Sequence, residues 1–399
     1  MAMRIKQISI KNYRLFKNVV LKDLLPLTVL VGKNGTGKST FFDVFSFLKD
    51  ALTQNVSTAV AKRGGFKELV SRGSNGPIFI EIKFFKDSSG KDSSKRIATY
   101  HLEIGQKNNK IIVEKEILKY TRFGGGQPWK FLDFKEGEGQ AITNELDEKI
   151  KDDKDIKRDY YKLDAPDILA IKGLGQFEKF KVASDFRNLI ENWHVSDFHI
   201  SDARHSADAG FAEHLSNSGD NIPLVTQYLF ENYPDVFDRI LSAMKQRVPG
   251  VRDVKAVPME DGRLVLRFQD ESFKNPFAAR YVSDGTIKMF AYLVLLYDPK
   301  PFPMLAVEEP ENQLYPELLA ELAEEFRLYT GRGGQVFLST HSPDLLNGID
   351  IKEIFYLDKK DGFTAFHRAK DNKILLNLSR DEKLGSLWQS NTIDSLLKN

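Results

Sequence analysis

The chain contains no cysteine. Disulfides, thiolate zinc ligands and thiol catalysis are therefore excluded, and the composition suits a reducing cytosol. No apolar run reaches the roughly 20 residues of a membrane-spanning helix. The opening Met1-Ala2-Met3-Arg4-Ile5-Lys6 has no apolar signal core. The expectation is a soluble, cytoplasmic protein with no membrane partner. Charge of one sign is also scarce in excess: the formal net charge of the 399 residues is +2. That gives no global attraction to nucleic acid and leaves only local basic patches to weigh. Internal repeats are missing, as is a heptad array long enough for a coiled-coil arm. What is present is a 41% hydrophobic chain, enough for a large core and one to three domains.

The most informative stretch is Gly32-Lys33-Asn34-Gly35-Thr36-Gly37-Lys38-Ser39, which fits the phosphate-loop pattern G-x-x-x-x-G-K-[ST]. The apolar, β-prone run Leu27–Val31 precedes it. Thr40–Leu48, free of Gly and Pro, reads as a buried helix after it. Strand, glycine-rich turn and helix start together suit a triphosphate. The glycines let backbone N–H groups point inward, and the helix adds its positive dipole end. Lys38 is expected to reach the β- and γ-phosphates, and the Ser39 hydroxyl to ligate Mg²⁺.

Along the chain, residues 3–31 read as two strands, a turn and the phosphate-loop strand. Alternating stretches at 78–85, 98–104 and 111–120 carry an antiparallel signature. Lys135–Lys162 is dense in mixed charge and reads as a solvated helix or mobile arm. Residues 167–244 look mostly helical, and 250–270 look like a hairpin turning at Asp261-Gly262. The expected domains are an ATPase lobe over 1–120, an insertion over 121–270, a second ATPase lobe over 271–365 and a helical tail over 366–399. Ile354–Asp358 reads as the last strand.

Three further stretches carry chemistry. The strand Met304–Val307 runs into Glu308-Glu309-Pro310-Glu311. Glu308 is assigned to Mg²⁺ through its waters and Glu309 to the attacking water; the bland alternative is an acidic helix start favoured by the dipole. Ser283-Asp284-Gly285 precedes the apolar run 289–297 and reads either as a plain cap or as a second phosphate-binding helix start. Val336–Ser339 leads to Thr340 and His341, where the histidine is either structural or a donor to a γ-phosphate. A polar cluster, Asp197, His199, Asp202, His205 and Asp208, admits a metal site; a loop with Arg204 pairing to one of these acids is the simpler reading.

In this order, the phosphate loop, the Ser-Asp-Gly signature, the Glu-Glu strand end and the strand-end His resemble the ABC-type ATPase heads of the RecF, SMC and OLD group. Asn12-Tyr13-Arg14 is similar to their N-[FY]-R opening. Glu308–Pro316 is similar to the EEPEN-x-L-H-P run of predicted AAA/ABC ATPases of bacteria and archaea, with Tyr315 where His is usual. The resemblance covers residues 1–50 and 280–358, and more weakly 191–228. It implies an α/β P-loop NTPase fold with an antiparallel β subdomain and a mostly helical insertion. It implies ATP on Asn34, Gly35, Thr36, Gly37, Lys38, Ser39 and Thr40, with Arg14 close by. Ser283, Asp284 and Gly285 would approach the γ-phosphate held by a second subunit, giving a head-to-head homodimer around two ATPs. His341 would be the switch, and Gln54 is the candidate by position for the glutamine that contacts Mg²⁺.

The residues after His341 amount to about one supersecondary unit, so a Toprim nuclease is not expected. The resemblance suggests a gate for a separate effector in anti-phage defence. It leaves open a stand-alone DNA repair or recombination ATPase, with Lys62, Arg63, Lys67 and Arg72 as candidate DNA contacts. It also leaves open a scaffold that binds ATP and barely hydrolyses it.

Overall fold

The computed structural model describes residues 3–86, 96–120, 128–144, 156–196, 198 and 200–398. The chain forms two compact units. One comprises Met1–Trp193, Lys352–Asn372 and Leu397–Asn399; the other comprises His194–Ile351 and Lys373–Leu396.

The first unit opens with β1 (Met3–Tyr13) and β2 (Phe16–Leu21), an antiparallel hairpin in which Tyr13 faces Phe16. β3 (Leu27–Gly32) is buried at every position, as suits a strand covered on both faces. It leads through the glycine-rich loop to α1 (Lys38–Thr53), followed by α2 (Val56–Ala61) and α3 (Phe66–Leu69). β4 (Ile78–Lys86), β5 (Arg96–Lys107), β6 (Lys110–Tyr120), β7 (Trp129–Lys135), β8 (Glu138–Ile142) and β9 (Arg158–Lys162) complete an eight-stranded sheet in the order β2-β1-β4-β5-β6-β7-β8-β9. Ile80, Ile82, Tyr100 and Leu102 alternate into its buried face. Short α4 (Ala170–Leu174) and α5 (Lys181–Glu191) follow. Phe186 of α5 meets the Phe84 ring edge-on at 4.6 Å.

The charged stretch Lys135–Lys162 departs from the expected helix or arm. β8 and β9 lie within it and extend the antiparallel sheet; residues 145–155 fall outside the described residues. Among its described residues only Ala141 and Ile142 of β8 are buried hydrophobic positions, beside Phe131, Leu132 and Phe134 of the neighbouring β7, while Arg158, Asp159 and Lys162 of β9 are exposed.

One buried acid ties this sheet to α4. Glu116 on β6 accepts from the backbone N–H of Ala170, from Ile171 N at 3.0 Å and from the Tyr100 hydroxyl at 3.1 Å. Burial pushes its carboxyl up to about 7, against hydrogen bonds that favour the ionised form. Glu116→Gln places an amide donor against backbone donors and is expected to cost about 1–3 kcal/mol, read as a lower urea midpoint. The folded-state pKa lies above the ordinary 4.5. Wild-type stability from this group is therefore full below about 4.5 and is lost as pH rises through about 7. The difference between wild type and variant should narrow over that window.

In the second unit, β10 (Trp193–Ser196), at its boundary, is followed by α6 (Ile200–Ala203), α7 (Ile222–Asn232) and α8 (Pro234–Arg247). β11 (Val251–Pro258) and β12 (Leu264–Asp270) form the expected hairpin, and β13 (Phe277–Ala278) adds to β12. α9 (Asp284–Leu296) is buried at every position from Ile287 onward, which marks a central helix. β14 (Met304–Glu308), α10 (Leu319–Gly331), β15 (Gln335–Thr340) and α11 (Pro343–Leu346) follow. β14 and β15 are parallel, with Glu308 beside Ser339. His214 braces the segment after α9: its Nδ1 lies 2.7 Å from Asp298 Oδ2, and that hydrogen bond raises its pKa.

The chain then returns to the first unit. β16 (Ile354–Lys360) runs parallel to β3, and β17 (Phe363–Arg368) pairs antiparallel with β16. The strand at Ile354–Asp358 is thus not the last; the turn at Asp361-Gly362, where both φ angles are positive, produces one more. The tail holds α12 (Lys373–Asp381), α13 (Leu384–Gln389) and α14 (Thr392–Lys398). No described helix is long and apolar enough to cross a membrane.

Candidate functional site

In the first unit the phosphate loop joins β3 to α1 as expected. Gly37 caps α1 at φ +107°, and Gly35 stands at φ +75°; such angles strain residues with a Cβ. The loop is also too tight for side chains. A Cβ on Gly32 would lie 2.5 Å from Leu357 O, and one on Gly37 would lie 2.5 Å from Thr364 Oγ1. Thr364 of β17 fixes the loop further by donating its hydroxyl to Thr36 O at 2.7 Å. Thr36 turns back on Lys33 O through its own hydroxyl at 2.8 Å. Lys38 is buried, and its Nζ donates to Gly32 O at 2.8 Å. Asn34, Gly35 and Ser39 are exposed, while Thr40 is buried. A cradle of backbone closed to side chains, with an ammonium and a hydroxyl at its helix end, fits a triphosphate and its Mg²⁺.

The Asn12-Tyr13-Arg14 element anchors α1 beside this loop. Asn12 Oδ1 accepts from Ser71 N at 3.0 Å, the Tyr13 hydroxyl donates to Asp43 Oδ2 at 2.7 Å, and Arg14 pairs with the same oxygen at 3.0 Å. Asp43 lies five residues beyond Lys38, so Arg14 sits toward the loop end of α1. Gln54 does not. It caps the far end of α1, 16 residues on, or about 24 Å along the axis, and this corrects its assignment as the Mg²⁺-contacting glutamine.

The proposed DNA contacts are partly spoken for. Arg63 is mostly buried and pairs with Asp43 at 2.7 Å and Asp50 at 2.9 Å, Lys62 pairs with Asp50 at 2.8 Å, and Arg72 pairs with Glu68 at 2.7 Å. Arg63 therefore braces α1 and does not offer a phosphate contact.

The acidic strand end, the signature and the histidine lie in the second unit. Past β14, Glu309 takes φ +42° and donates its N–H to Ser339 O at 3.0 Å. Its carboxylate lies 3.3 Å from His341 Nδ1 and accepts from Asn312 Nδ2 at 3.2 Å. Glu311 received no role from sequence, yet it is buried here. Its Oε1 accepts from the Thr340 hydroxyl at 2.7 Å and from His341 N at 3.0 Å, fixing the backbone at His341. The Trp388 indole of α13 also holds it, donating to His341 O at 3.0 Å.

The signature faces the same loop. Ser283 caps α9, accepting from Thr286 N at 3.2 Å. Lys288, buried one turn on, donates to Asn312 O at 2.7 Å; burial lowers its ammonium to about 8, with Glu311 and Glu309 opposing. Gly285 is required by closeness, since a Cβ there would lie 2.8 Å from Gln313 O. Gly285→Ala is expected to push the α9 start off this loop at a cost of about 1–3 kcal/mol, read as a lower urea midpoint.

The polar cluster is only partly described. Asp197 and His199 lie outside the described residues. Asp208 pairs with Arg263 at 3.1 Å, and Arg204 pairs with Asp284. Among the described residues no group of three or more His, Cys, Asp or Glu could hold a metal ion.

The family model described as "AAA domain, putative AbiEii toxin, Type IV TA system" matches residues 27–347. No curated protein matches the chain. Among solved structures, an SMC head bound to the C-terminal winged-helix domain of ScpA is 14% identical with a TM-score of 0.50, covering 91% of this chain and 97% of that one. The SMC head domain from Thermotoga maritima is 12% identical with a TM-score of 0.46, covering 91% of this chain and 98% of that one. An SMC head domain from Pyrococcus furiosus, with an extended coiled coil and bound to the C-terminal domain of ScpA, is 12% identical with a TM-score of 0.49, covering 95% and 100%. At such identity the first of these likenesses is one of fold.

Proposed function

The chain belongs to the AAA-domain family described as "putative AbiEii toxin, Type IV TA system" and has the fold of an ABC-type ATPase head, and we propose that it hydrolyses ATP in a homodimer to gate a separate effector protein. The observation that carries the reading is the phosphate loop: a backbone cradle closed to side chains at Gly32 and Gly37, with Lys38 at its helix end.

Lys38 exchanges its carbonyl partners for the β- and γ-phosphates. Ser39 and Glu308 are the residues that would hold Mg²⁺, which when bound would supply neutralisation of the charge developing on the phosphates. Glu309 orients and deprotonates the attacking water. His341, held beside Glu309, would donate to the γ-phosphate. Ser283 and Gly285 present the α9 start to the ATP of a second copy. One loop serves one ATP, so the signature start requires another, and two-fold symmetry supplies it. Closing and reopening shift the population that engages the effector. The family's description as part of a toxin–antitoxin system supports an output through a second protein, and anti-phage defence is the setting proposed.

The test is a pull-down from the native host with a Glu309→Gln bait and ATP–Mg²⁺. A stoichiometric second protein is expected. Recovery of DNA without a protein would transfer the reading to DNA repair.

A further inference from the structure

The signature of this chain carries an acid where phosphate is to be received. Asp284 is the first residue of α9, between Ser283 and Gly285. A carboxylate there is favoured by the helix dipole and competes for the first-turn N–H groups. It would also repel an incoming γ-phosphate. The structure supplies a partner from 80 residues away. Arg204, just past α6, spends its whole guanidinium on this turn. Nε donates to Asp284 Oδ1 at 3.2 Å, and NH2 donates to the same oxygen. NH1 donates to Arg280 O at 2.8 Å and Ala279 O at 3.4 Å. The neighbouring Arg280 stacks over Tyr281 at 4.8 Å, which leaves a second cation at the entrance to the helix.

We propose that Arg204 is a positioning residue that neutralises Asp284 and draws its carboxylate aside, so that the α9 start can accept a triphosphate. The inference rests on the reading above that this helix start approaches the ATP of a second copy. A brace alone needs only the carbonyl contacts. Charge neutralisation makes a different prediction, because removing the acid should then compensate for removing the arginine.

The experiment measures ATP hydrolysis and binding of a fluorescent ATP analogue for wild type, Arg204→Ala, Arg204→Lys, Asp284→Asn and the Arg204→Ala/Asp284→Asn pair, with melting by circular dichroism as the folding control. Arg204→Ala is expected to lower turnover at least tenfold, about 1.4 kcal/mol, with analogue affinity within about twofold of wild type. The paired variant should recover most of that loss, a non-additive cycle. Arg204→Lys should fall between, since it keeps the charge and loses the fork. Should Arg204→Ala fail to fold, the comparison of Arg204→Lys with the paired variant decides. A paired variant slower than Arg204→Lys overturns the proposal in that case. A paired variant as slow as a folded Arg204→Ala overturns it too, and so does an Arg204→Ala protein as fast as wild type. A wild type that binds the analogue without hydrolysing ATP overturns the hydrolytic function itself, and this inference with it.

Discussion

Glu309→Gln is expected to slow ATP hydrolysis by about 10²–10⁴-fold, the range for loss of a positioned general base, while ATP still binds. The substitution keeps the shape of the side chain. The amide can still meet His341, 3.3 Å from one carboxylate oxygen, and accept from Asn312, 3.2 Å from the other. It cannot take a proton from water. The backbone should hold as well, because the φ of +42° at Glu309 costs Gln about what it costs Glu. Steady-state phosphate release with a parallel ATP-binding titration checks both halves. Turnover unchanged by the substitution removes Glu309 from the chemistry. A wild type that hydrolyses barely at all, with biological function intact in the variant, is the signature of the scaffold alternative.

Lys38→Ala should act at the other stage and remove ATP binding itself. The ammonium is buried and bonded to Gly32 O at 2.8 Å, a carbonyl contact that a phosphate can replace. Each charge-assisted hydrogen bond is worth about 1.5–3 kcal/mol. Losing one weakens ATP by about 10–10²-fold, and losing contacts to both phosphates weakens it further. Calorimetric titration reads the affinity directly. Thermal stabilisation gives a second view, since ATP at 100 times its Kd stabilises wild type by about 2.7 kcal/mol, and the variant should show little of this. An unchanged affinity would exclude Lys38 from the nucleotide.

Elements with a local signature were legible. β3, the loop and α1 follow from one motif and its flanks. The alternating strands β4 to β6 follow from period-two patterning. β9 was hidden for a physical reason: Arg158, Asp159 and Tyr160 are exposed and Tyr161 only half-buried, so the strand is held by backbone pairing and leaves no apolar trace. β17 was hidden behind the strand before it. The site divides in the same way. Ser283 announces itself as a cap, and Glu308-Glu309 as a strand end. Thr364 on Thr36, 328 residues apart, and Arg204 on Asp284, 80 residues apart, leave no local pattern to read. Glu311 stood in plain view inside the acidic run. Only its burial against Thr340 and His341 separates it from a solvated acid. Gln54 misled because sequence position does not reveal that α1 runs unbroken to Thr53.

The central claim is that ATP joins two copies of this chain. The most direct measurement is the solution mass of the Glu309→Gln protein by light scattering, without nucleotide and with ATP–Mg²⁺. A monomer that doubles in mass only with ATP–Mg²⁺, and fails to do so when Lys38 is also replaced by Ala, is the predicted result. A mass that stays that of one chain at saturating ATP–Mg²⁺ would contradict it.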